Sequence, residues 1–315
     1  MKNKLLSLLN NGSLISGELL AEQLKVSRTA VWKQINSLRD LGYEIESIKN
    51  KGYRLKSRPD IPIPEEITID LNTKIIGREV YYFKEISSTN LYAKQLVEKH
   101  ITEGTVVVAD IQTKGRGRKN RSWFSPYGGL WFSVVLYPQI PPERGMLVTM
   151  TASVAAAQAI KEITSLEPVI KWPNDLLLNG KKICGILSEL NAEIDRINYT
   201  IVGIGINVNN DIDEDLKDTA VSLKSEIGSR FSRVKLLRSI LKHLDENYDR
   251  LISGDYRTMQ DLWFSYSNIT GRKIKVKDEK AVMHGVVSDV DDSGCLILDT
   301  KNGSVRIVSG DIEYL

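Results

Sequence analysis

The 315-residue sequence contains few of the side chains that build disulfides, metal centres or catalytic triads. It has two cysteines, Cys184 and Cys295, and three histidines. The cysteines lie far apart and lack CxxC or zinc spacing, which favours buried thiols. The histidines are scattered, and none has a partner nearby in sequence that would complete a metal-ligand set or a triad. We therefore predict no metal site formed by the protein's own side chains.

The sequence also lacks the signatures of several large enzyme classes. No GxxxxGK[ST], GxGxxG, HExxH or GxSxG motif occurs, so the P-loop, Rossmann, zincin and α/β-hydrolase classes have no motif support. The richest apolar stretch, 146–163, is interrupted by polar and charged residues and is unsuited to span a bilayer. The N-terminal sequence MKNKLLSLLNNGS has too short an apolar part for a secretory signal. We expect a cytoplasmic protein without a membrane partner.

Positive charge is concentrated near the N-terminus. The whole chain has 43 Lys and Arg against 40 Asp and Glu, a formal net charge of +3. Residues 1–58 contain eleven Lys and Arg and five Asp and Glu, so this segment carries +6 and the other 257 residues carry −3. A basic unit attached to a mildly acidic body indicates that only the N-terminal segment binds a polyanion.

The first 58 residues have the pattern of a winged helix. Apolar spacing predicts three short helices, of which the third spans 28–41 behind Ser27 as its N-cap. Gly42 suits the C-terminal end of this helix. Two extended runs, 43–47 and 52–56, are joined by a turn. Helix–turn–helix followed by a hairpin is the winged-helix order.

Several polar side chains of the third helix lie opposite its apolar stripe. In a winged helix, such side chains near the helix N-terminus reach bases and phosphates in the major groove. Basic residues of the second extended run would contact phosphates from the wing. A solvated face on a protein-interaction module is the other interpretation, and the clustered charge favours DNA. The predicted DNA-binding residues are Ser27, Arg28, Thr29, Lys33, Asn36 and Arg54.

The rest of the chain divides into two further predicted domains. Three prolines between 59 and 64 favour an extended connector. Residues 67–268 mix helices with successive apolar strands, which indicates a mixed sheet with helices on one side. Residues 270–315 show only strand and turn patterns, which predicts a small SH3-like β-barrel. The fold class is α+β, with a winged helix-turn-helix domain at 1–58, a catalytic domain and a C-terminal β domain.

The segment 112–121, QTKGRGRKNR, is unusually rich in positive charge. Its last eight residues hold five cations, two glycines and no acidic residue. We expect an irregular, mobile loop that closes over a phosphate or carboxylate, with a solvated loop or a generic nucleic-acid patch as alternatives. Trp123 offers a flat surface for a heterocycle or for core packing. Upstream, Ser88-Thr89-Asn90 begins a helix that Ser88 or Thr89 can cap.

A second polar cluster follows the sequence KWPNDL at 171–176. Its proline ends a strand, because proline cannot donate to a central ladder, and Asn174 and Asp175 are left at the strand end. Lys182 opens the next strand and points to the same region if the two strands form a hairpin. There it would neutralise an anionic substrate. The two glycines of GIGIN at 203–207 let a ligand or another backbone approach closely.

Taken in order, these segments resemble those of biotin–protein ligases. The order is STN, GRGRxxR, KWPNDL, a lysine six residues after the final leucine, and GxGIN. With the N-terminal winged helix, the chain is similar to the bifunctional ligase/repressor subclass, and the resemblance covers essentially its whole length. One departure is Lys119-Asn120, where some relatives have Arg-Gly, which puts the flexibility of the loop in doubt.

The resemblance implies that biotin and ATP, with Mg²⁺, form biotinyl-5′-adenylate and pyrophosphate, and that biotin then passes to a lysine of a carrier protein. It implies that Lys182 contacts the biotin carboxylate and the α-phosphate, that Arg118 belongs to the closing loop, and that Asp175 orients or deprotonates the acceptor lysine. The implied biotin-binding residues are Ser88, Thr89, Asn90, Gln112, Arg116, Gly117, Arg118 and Lys182. The implied ATP- or adenylate-binding residues are Trp123, Asn174 and Asn207.

The implied partners are biotin carboxyl carrier protein, operator DNA and, when adenylate is bound, a second copy of the chain. The chain would then also repress biotin genes, with biotinyl-5′-adenylate as corepressor. Two alternatives remain open. A lipoate or octanoate ligase of related fold would keep the adenylation chemistry, although KWPNDL and GRGR favour biotin. A regulator without enzymatic activity would merely bind a metabolite, although it would not need Lys182 to stabilise a phosphoryl transition state.

Overall fold

The computed structural model describes residues 1–277 and 282–315. It divides into two compact units, Met1–Asp70 and Leu71–Leu315. The predicted C-terminal domain at 270–315 includes residues 278–281, which lie outside the described residues. Within the described part of the chain, no helix is both long enough and apolar enough to cross a membrane.

The first unit is a helix–turn–helix followed by an antiparallel hairpin, which confirms the predicted winged-helix fold. Ser27 caps the third helix, and its hydroxyl accepts a hydrogen bond from Ala30 N at 3.2 Å. Val31, Ile35 and Leu38 of this helix are buried because they recur at helical spacing. The elements are α1 (Lys2–Leu9), α2 (Gly17–Leu24), α3 (Arg28–Asp40), β1 (Glu44–Ile48), β2 (Gly52–Ser57) and α4 (Pro64–Thr68).

The segment after the hairpin packs as part of the first unit. Instead of continuing as an extended connector, the chain forms α4, with Ile67 fully buried and Glu66 only 4 % exposed. The buried carboxylate of Glu66 accepts a hydrogen bond from Tyr43 Oη at 2.5 Å and pairs with Arg58 at 2.8 Å. The expectation of an extended connector, which covered residues 57–66, is therefore wrong for residues 64–66, which form the start of α4.

The second unit contains a seven-stranded mixed sheet in the order β3-β4-β5-β9-β8-β7-β6. Strands β3 and β4 are parallel and the other neighbours are antiparallel, so the predicted mixed sheet is confirmed. The elements are β3 (Val80–Ile86), α5 (Thr89–Val97), β4 (Val106–Gln112), β5 (Leu130–Leu136), α6 (Gly145–Thr164), β6 (Val169–Lys171), β7 (Asp175–Leu178), β8 (Lys181–Ala192), β9 (Ile197–Ile206), α7 (Leu223–Ile227), α8 (Arg233–Ile252) and α9 (Tyr256–Tyr266).

Helices cover both faces of this sheet. Helix α5 packs on a core that includes Ile201 of β9, and Ile201 pairs directly with Glu189 of β8. Ser188, the next residue along β8, points to the opposite face and lies 2.8 Å from the hydroxyl of Thr149 in α6. Helices α8 and α9 pack on α6. The prediction of helices on one side only is therefore wrong.

The C-terminal part of the second unit is a small five-stranded antiparallel sheet. Its strand order is β13-β12-β11-β10-β14, so β13 and β14 form its edges. The all-β expectation for this part is confirmed. Trp172 Nε1 donates to Gly294 O at 3.1 Å and joins the turn after β6 to this sheet. The strands are β10 (Lys273–Lys277), β11 (Val282–Val290), β12 (Leu296–Thr300), β13 (Gly303–Ile307) and β14 (Asp311–Tyr314).

A buried ion pair connects β4 to the N-terminal end of α8. Arg233 Nη1 lies 2.8 Å from Asp110 Oδ1, and the two side chains are only 2 % and 5 % exposed. Tyr82 Oη donates to the other carboxylate oxygen of Asp110 at 2.6 Å. Removing one partner of a buried pair leaves an uncompensated charge, which costs more than the pair itself contributes.

We expect Arg233→Met to destabilise the second unit by about 3–5 kcal/mol, because Asp110 would remain buried without its cation. Urea unfolding followed by circular dichroism measures this loss. Lys224→Met is the matched control, since Lys224 pairs with Asp211 at 3.2 Å on the surface and should change stability by under about 1 kcal/mol. Equal effects of the two substitutions would contradict the prediction.

Candidate functional site

A cavity of about 530 Å³ lies on the face of the central sheet that carries α5. Strand β8 and strand β9 form its floor, and the segment after β4 forms its roof. Every site residue predicted for the catalytic domain lines this cavity, although the roles of these residues remain predictions. They are Ser88, Thr89, Asn90, Gln112, Arg116, Gly117, Arg118, Trp123, Asn174, Asp175, Lys182 and Asn207.

Two glycines of β9 make room for side chains of the protein itself. A Cβ atom at Gly203 would lie 2.2 Å from Asn90 Oδ1, and one at Gly205 would lie 2.4 Å from Trp123 Nε1. Both distances are too short for any side chain, so only glycine permits Asn90 and Trp123 to lie against the strand. The sequence predicts the close approach but not that these two side chains make it.

A corner of uncharged polar groups closes one end of the cavity. Ser88 is the N-cap residue of α5. Thr89 donates to Gln112 Oε1 from its backbone N–H at 2.8 Å and from its hydroxyl at 3.1 Å. Gln112 Nε2 in turn donates to Ser125 Oγ at 3.0 Å. Buried neutral groups with fixed orientations are suited to recognising a neutral polar ligand.

Residues 113–124 form a hairpin, which we call the flap. Trp123 N donates to Gly115 O at 2.9 Å, and Gly117 N donates to Arg121 O at 2.7 Å. The turn contains Lys119 with a positive φ of 54°. Residues 113–124 contain no strand and are joined only by isolated backbone pairs, so the expected irregular loop is confirmed. Its mobility and its closure over a ligand remain predictions.

Carboxylates from two other parts of the second unit hold the cations of the flap. Arg116 Nη1 lies 3.2 Å from Glu189 Oε1. Asp311, on the C-terminal sheet, pairs with Lys119 at 3.5 Å and more closely with Arg121. Burial alone would raise the pKa of Asp311, but its hydrogen bond from Arg121 and the nearby positive charges hold that pKa below its ordinary value.

Arg118 reaches from the flap towards the turn before β7. Its Nη1 donates to Asn174 Oδ1 at 3.0 Å and to Gly310 O at 3.3 Å. Asn174 also donates to Ile186 O of β8 at 2.9 Å, so it is fixed while it binds the arginine. Burial lowers the pKa of the Arg118 guanidinium, which nevertheless stays charged at neutral pH.

Lys182 points back to the same cavity, as the predicted hairpin requires. Strands β7 and β8 are antiparallel neighbours, and Lys182 Nζ lies 2.7 Å from Asp175 Oδ1. The ammonium group is also 5.0 Å from the centre of the Trp123 ring. The indole Nε1 of Trp123 is buried against Gly205 and has no hydrogen-bond partner among the described residues.

The other end of the cavity is acidic. Asn207 accepts a hydrogen bond from Asn210 Nδ2 at 3.1 Å, and Asp211, Asp213 and Asp218 line the wall beyond it. Across residues 1–277 and 282–315, no group of three His, Cys, Asp or Glu side chains could hold a metal ion.

The residues that hold the flap and the polar corner in place belong to none of the sequence motifs. Glu189 and Asp311 bind flap cations, and Ser125 and Ser133 complete hydrogen bonds of the corner. Glu189 shares the alternation of β8 with Gly185 and so faces the cavity, which strand periodicity indicates once that strand is assigned. Asp311 lies 190 residues after Arg121, so no local sequence pattern predicts that the two side chains pair.

The predicted DNA-binding residues lie on the first unit. Arg28, Thr29 and Lys33 are exposed on α3, while Asn36 is partly buried and accepts a hydrogen bond from Arg39. Ser27 is used as the helix cap. Their contacts with DNA remain a prediction.

Two further side chains lie on the predicted DNA-binding surface, one on α3 and one on the wing. Trp32 is 53 % exposed on α3. Arg54 on β2 lies 3.4 Å from Glu46 on β1, so the wing carries an acidic partner beside its cation.

Comparisons with known proteins cover all three predicted domains. The model of the Biotin/lipoate A/B protein ligase family matches residues 82–207. A model described as an HTH domain matches residues 2–54, and one described as the biotin protein ligase C terminal domain matches residues 269–314.

Individual relatives match over most of their length. The chain is 41 % identical to the bifunctional ligase/repressor BirA of Bacillus subtilis (strain 168), over 95 % of this chain and 93 % of that protein. It is 29 % identical to the bifunctional ligase/repressor BirA of Escherichia coli (strain K12), over 96 % and 93 %. The structure of the biotin protein ligase from Aquifex aeolicus in complex with biotin and ATP aligns with a TM-score of 0.65 and 31 % identity, over 76 % of this chain and 99 % of that one. The chain therefore belongs to the family of bifunctional biotin–protein ligases and repressors.

Proposed function

We propose that the protein joins biotin to ATP, forms biotinyl-5′-adenylate and pyrophosphate, and transfers biotin to a lysine of biotin carboxyl carrier protein. One observation carries the catalytic part of the proposal: Lys182 and flap cations converge on a cavity that ends in a neutral polar corner. A related ligase has been solved with biotin and ATP bound, which supports the two substrates.

The first step brings a carboxylate against a polyphosphate. The biotin carboxylate attacks the α-phosphorus, an acyl–phosphate bond forms, and pyrophosphate leaves with the electron pair of the broken bond. Two anions repel, so cations must already be present where charge accumulates. Lys182 approaches both reactants in this proposal, while Arg116, Gly117 and Arg118 enclose them.

The remaining cavity residues would divide between the two ends of the ligand. The neutral corner would bind the ureido ring of biotin through Ser88, Thr89, Asn90 and Gln112. Trp123 would pack on adenine, since it lines the cavity beside Lys182. Asn174 would position Arg118, and Asn207 would help to place phosphates.

The second step transfers the acyl group. The amine of the acceptor lysine attacks the acyl carbon, the amide bond forms, AMP leaves and the amine loses a proton. Asp175 is our candidate to orient or deprotonate that amine, because its carboxylate is held at the cavity by Lys182.

Mg²⁺ would enter with the nucleotide. It commonly binds substrate phosphates, waters and one or two carboxylates, so it does not require a protein cage. The acidic wall at Asp211 and Asp213 offers carboxylates of this kind. The ion would neutralise phosphate charge there.

The winged helix would make the protein a repressor of biotin genes with biotinyl-5′-adenylate as corepressor. The basic charge of residues 1–58 and the exposed cations of α3 support operator binding. Closure of the flap over adenylate would favour a homodimer, which could span two half-sites in the cytoplasm.

The alternatives differ in substrate or in chemistry. The matched family includes lipoate ligases as well as biotin ligases, so the family alone does not decide the acid. The bifunctional ligase/repressor relatives match nearly the whole length of the chain, which favours biotin. A pyrophosphate-release assay with biotin, lipoate and octanoate separates the acids. If none of the three acids supports pyrophosphate release, a regulator without enzymatic activity would be favoured.

We expect Lys182→Ala to slow adenylate formation by at least about 100-fold, because the cation between the two anionic reactants is lost. Pyrophosphate release with biotin, ATP and Mg²⁺ measures the rate. Lys181→Ala is the matched control, because Lys181 contacts Lys217 O on the surface. Wild-type release by Lys182→Ala would remove Lys182 from its proposed role.

We expect Arg118→Gly to let the reactive adenylate escape, because the flap would lose its contacts with Asn174 and Gly310. Mass spectrometry of a bystander protein incubated with the variant, biotin and ATP should detect biotin on many lysines. Modification no greater than with the wild-type protein would count against a retaining flap.

We expect biotin and ATP together to raise affinity for DNA from upstream of the biotin genes by roughly 5- to 150-fold. Gel-shift titration with and without the two substrates measures the change. Lys182→Ala is the control, since it should bind DNA but respond little. Equal affinity of the wild-type protein in both conditions would end the sensor hypothesis.

A further inference from the structure

Glu189 is a partly exposed carboxylate of β8 that has no role in the proposed reaction. Its pairing with Ile201 places it on the cavity face of the sheet. Asn90 Nδ2 donates to Glu189 Oε2 at 2.7 Å, and Arg116 Nη1 lies 3.2 Å from Glu189 Oε1. Each oxygen therefore binds a different part of the site: one holds the polar corner, and the other holds the flap.

Asn90 is fixed from both ends of its amide. Ser133 Oγ lies 2.6 Å from Asn90 Oδ1 and 2.7 Å from Thr89 Oγ1. Asn90 is only 5 % exposed and Ser133 is fully buried, so water does not compete for these contacts. A movement of the amide would displace the carboxylate of Glu189 with it.

These contacts continue into the second limb of the flap. From Thr89 the hydrogen bonds run through Gln112 to Ser125, and Ser125 Oγ donates to Trp123 O at 3.0 Å. Trp123 is itself paired with Gly115 across the flap. The network therefore starts at Arg116 on one limb, passes through the polar corner and ends on the other limb.

We propose that Glu189 is a positioning residue that couples occupancy of the polar corner to closure of the flap. The contact between Glu189 and Arg116 does not depend on the proposed function, whereas the identity of the coupling ligand as biotin does. Glu189 does not touch the reacting atoms and acts through Arg116.

An isolated surface ion pair contributes little, because two long side chains must be immobilised to form it. The pair of Glu189 and Arg116 differs because Asn90 already fixes one partner. The side chain of Glu189 is 34 % exposed and that of Arg116 is 38 % exposed, so the contact is weak enough to open when the flap admits a ligand.

Hydrogen–deuterium exchange of the flap peptide 113–124 in the ligand-free full-length protein tests the contact. Glu189→Gln keeps an acceptor for Asn90 but removes the charge that holds Arg116. We expect flap exchange to rise roughly two- to five-fold, the range for loss of a partly exposed pair. Glu193→Gln is the control on the same β8–β9 hairpin, because it removes a surface pair with Arg196 and should leave the flap unchanged.

A double-mutant cycle shows whether Glu189 acts through Arg116. In an Arg116→Ala background, adding Glu189→Gln should raise flap exchange no further, because the partner is already absent. Unchanged exchange in the single Glu189→Gln variant would overturn the proposal. So would an equal rise in both backgrounds, which would mean that Glu189 acts on general stability.

Added biotin tests the coupling. In the wild-type protein, biotin should protect both the corner peptide around 88–97 and the flap. In Glu189→Gln, biotin should still protect the corner, while its protection of the flap should be at least about two-fold lower than in the wild-type protein. Equal protection of the flap by biotin in the two proteins would refute coupling. A wild-type protein that biotin does not protect anywhere would refute the proposed function instead, and the ligand-free comparison would still decide the role of Glu189.

Discussion

Repulsion between two negatively charged reactants is the constraint on which the larger unit depends. A site that receives a carboxylate and a polyphosphate must hold several cations close together before either arrives. Such a cluster would repel itself, and the protein offsets this with its own carboxylates. Asp175 binds Lys182, Glu189 binds Arg116, and Asp311 binds Lys119 and Arg121. The same ion pairs hold the flap against the rest of the second unit.

Short motifs predict which residues lie together around the cavity. All twelve cavity residues proposed from the sequence lie around one cavity, because each motif combines a local backbone requirement with a chemical group. Gly203 and Gly205 illustrate this connection, because they mark a strand that other groups approach. Asn90 belongs to the STN motif, and Trp123 lies two residues after GRGRxxR.

Features that depend on distant parts of the chain could not be predicted in this way. The glycines and charges of the flap carry no strand periodicity, and its ion pairs with Glu189 and Asp311 join distant parts of the chain. The helices on opposite faces were missed for a similar reason. Strand β5 is buried at every position, so its sequence does not show which side is covered by α5. Compact helices and the winged-helix order were predictable because local apolar spacing determines them.

The packing of α4 determines where the chain can be divided. A cut at residue 58 would follow the end of the sequence-defined winged helix, yet it would remove Glu66, the hydrogen-bond partner of Tyr43 and the ion-pair partner of Arg58. Burial and Glu66 together raise the pKa of the Tyr43 hydroxyl, which shows how far that group is withdrawn from water. A separate DNA-binding fragment would therefore extend to Asp70 and include α4, so that Tyr43 and Arg58 keep their contacts with Glu66.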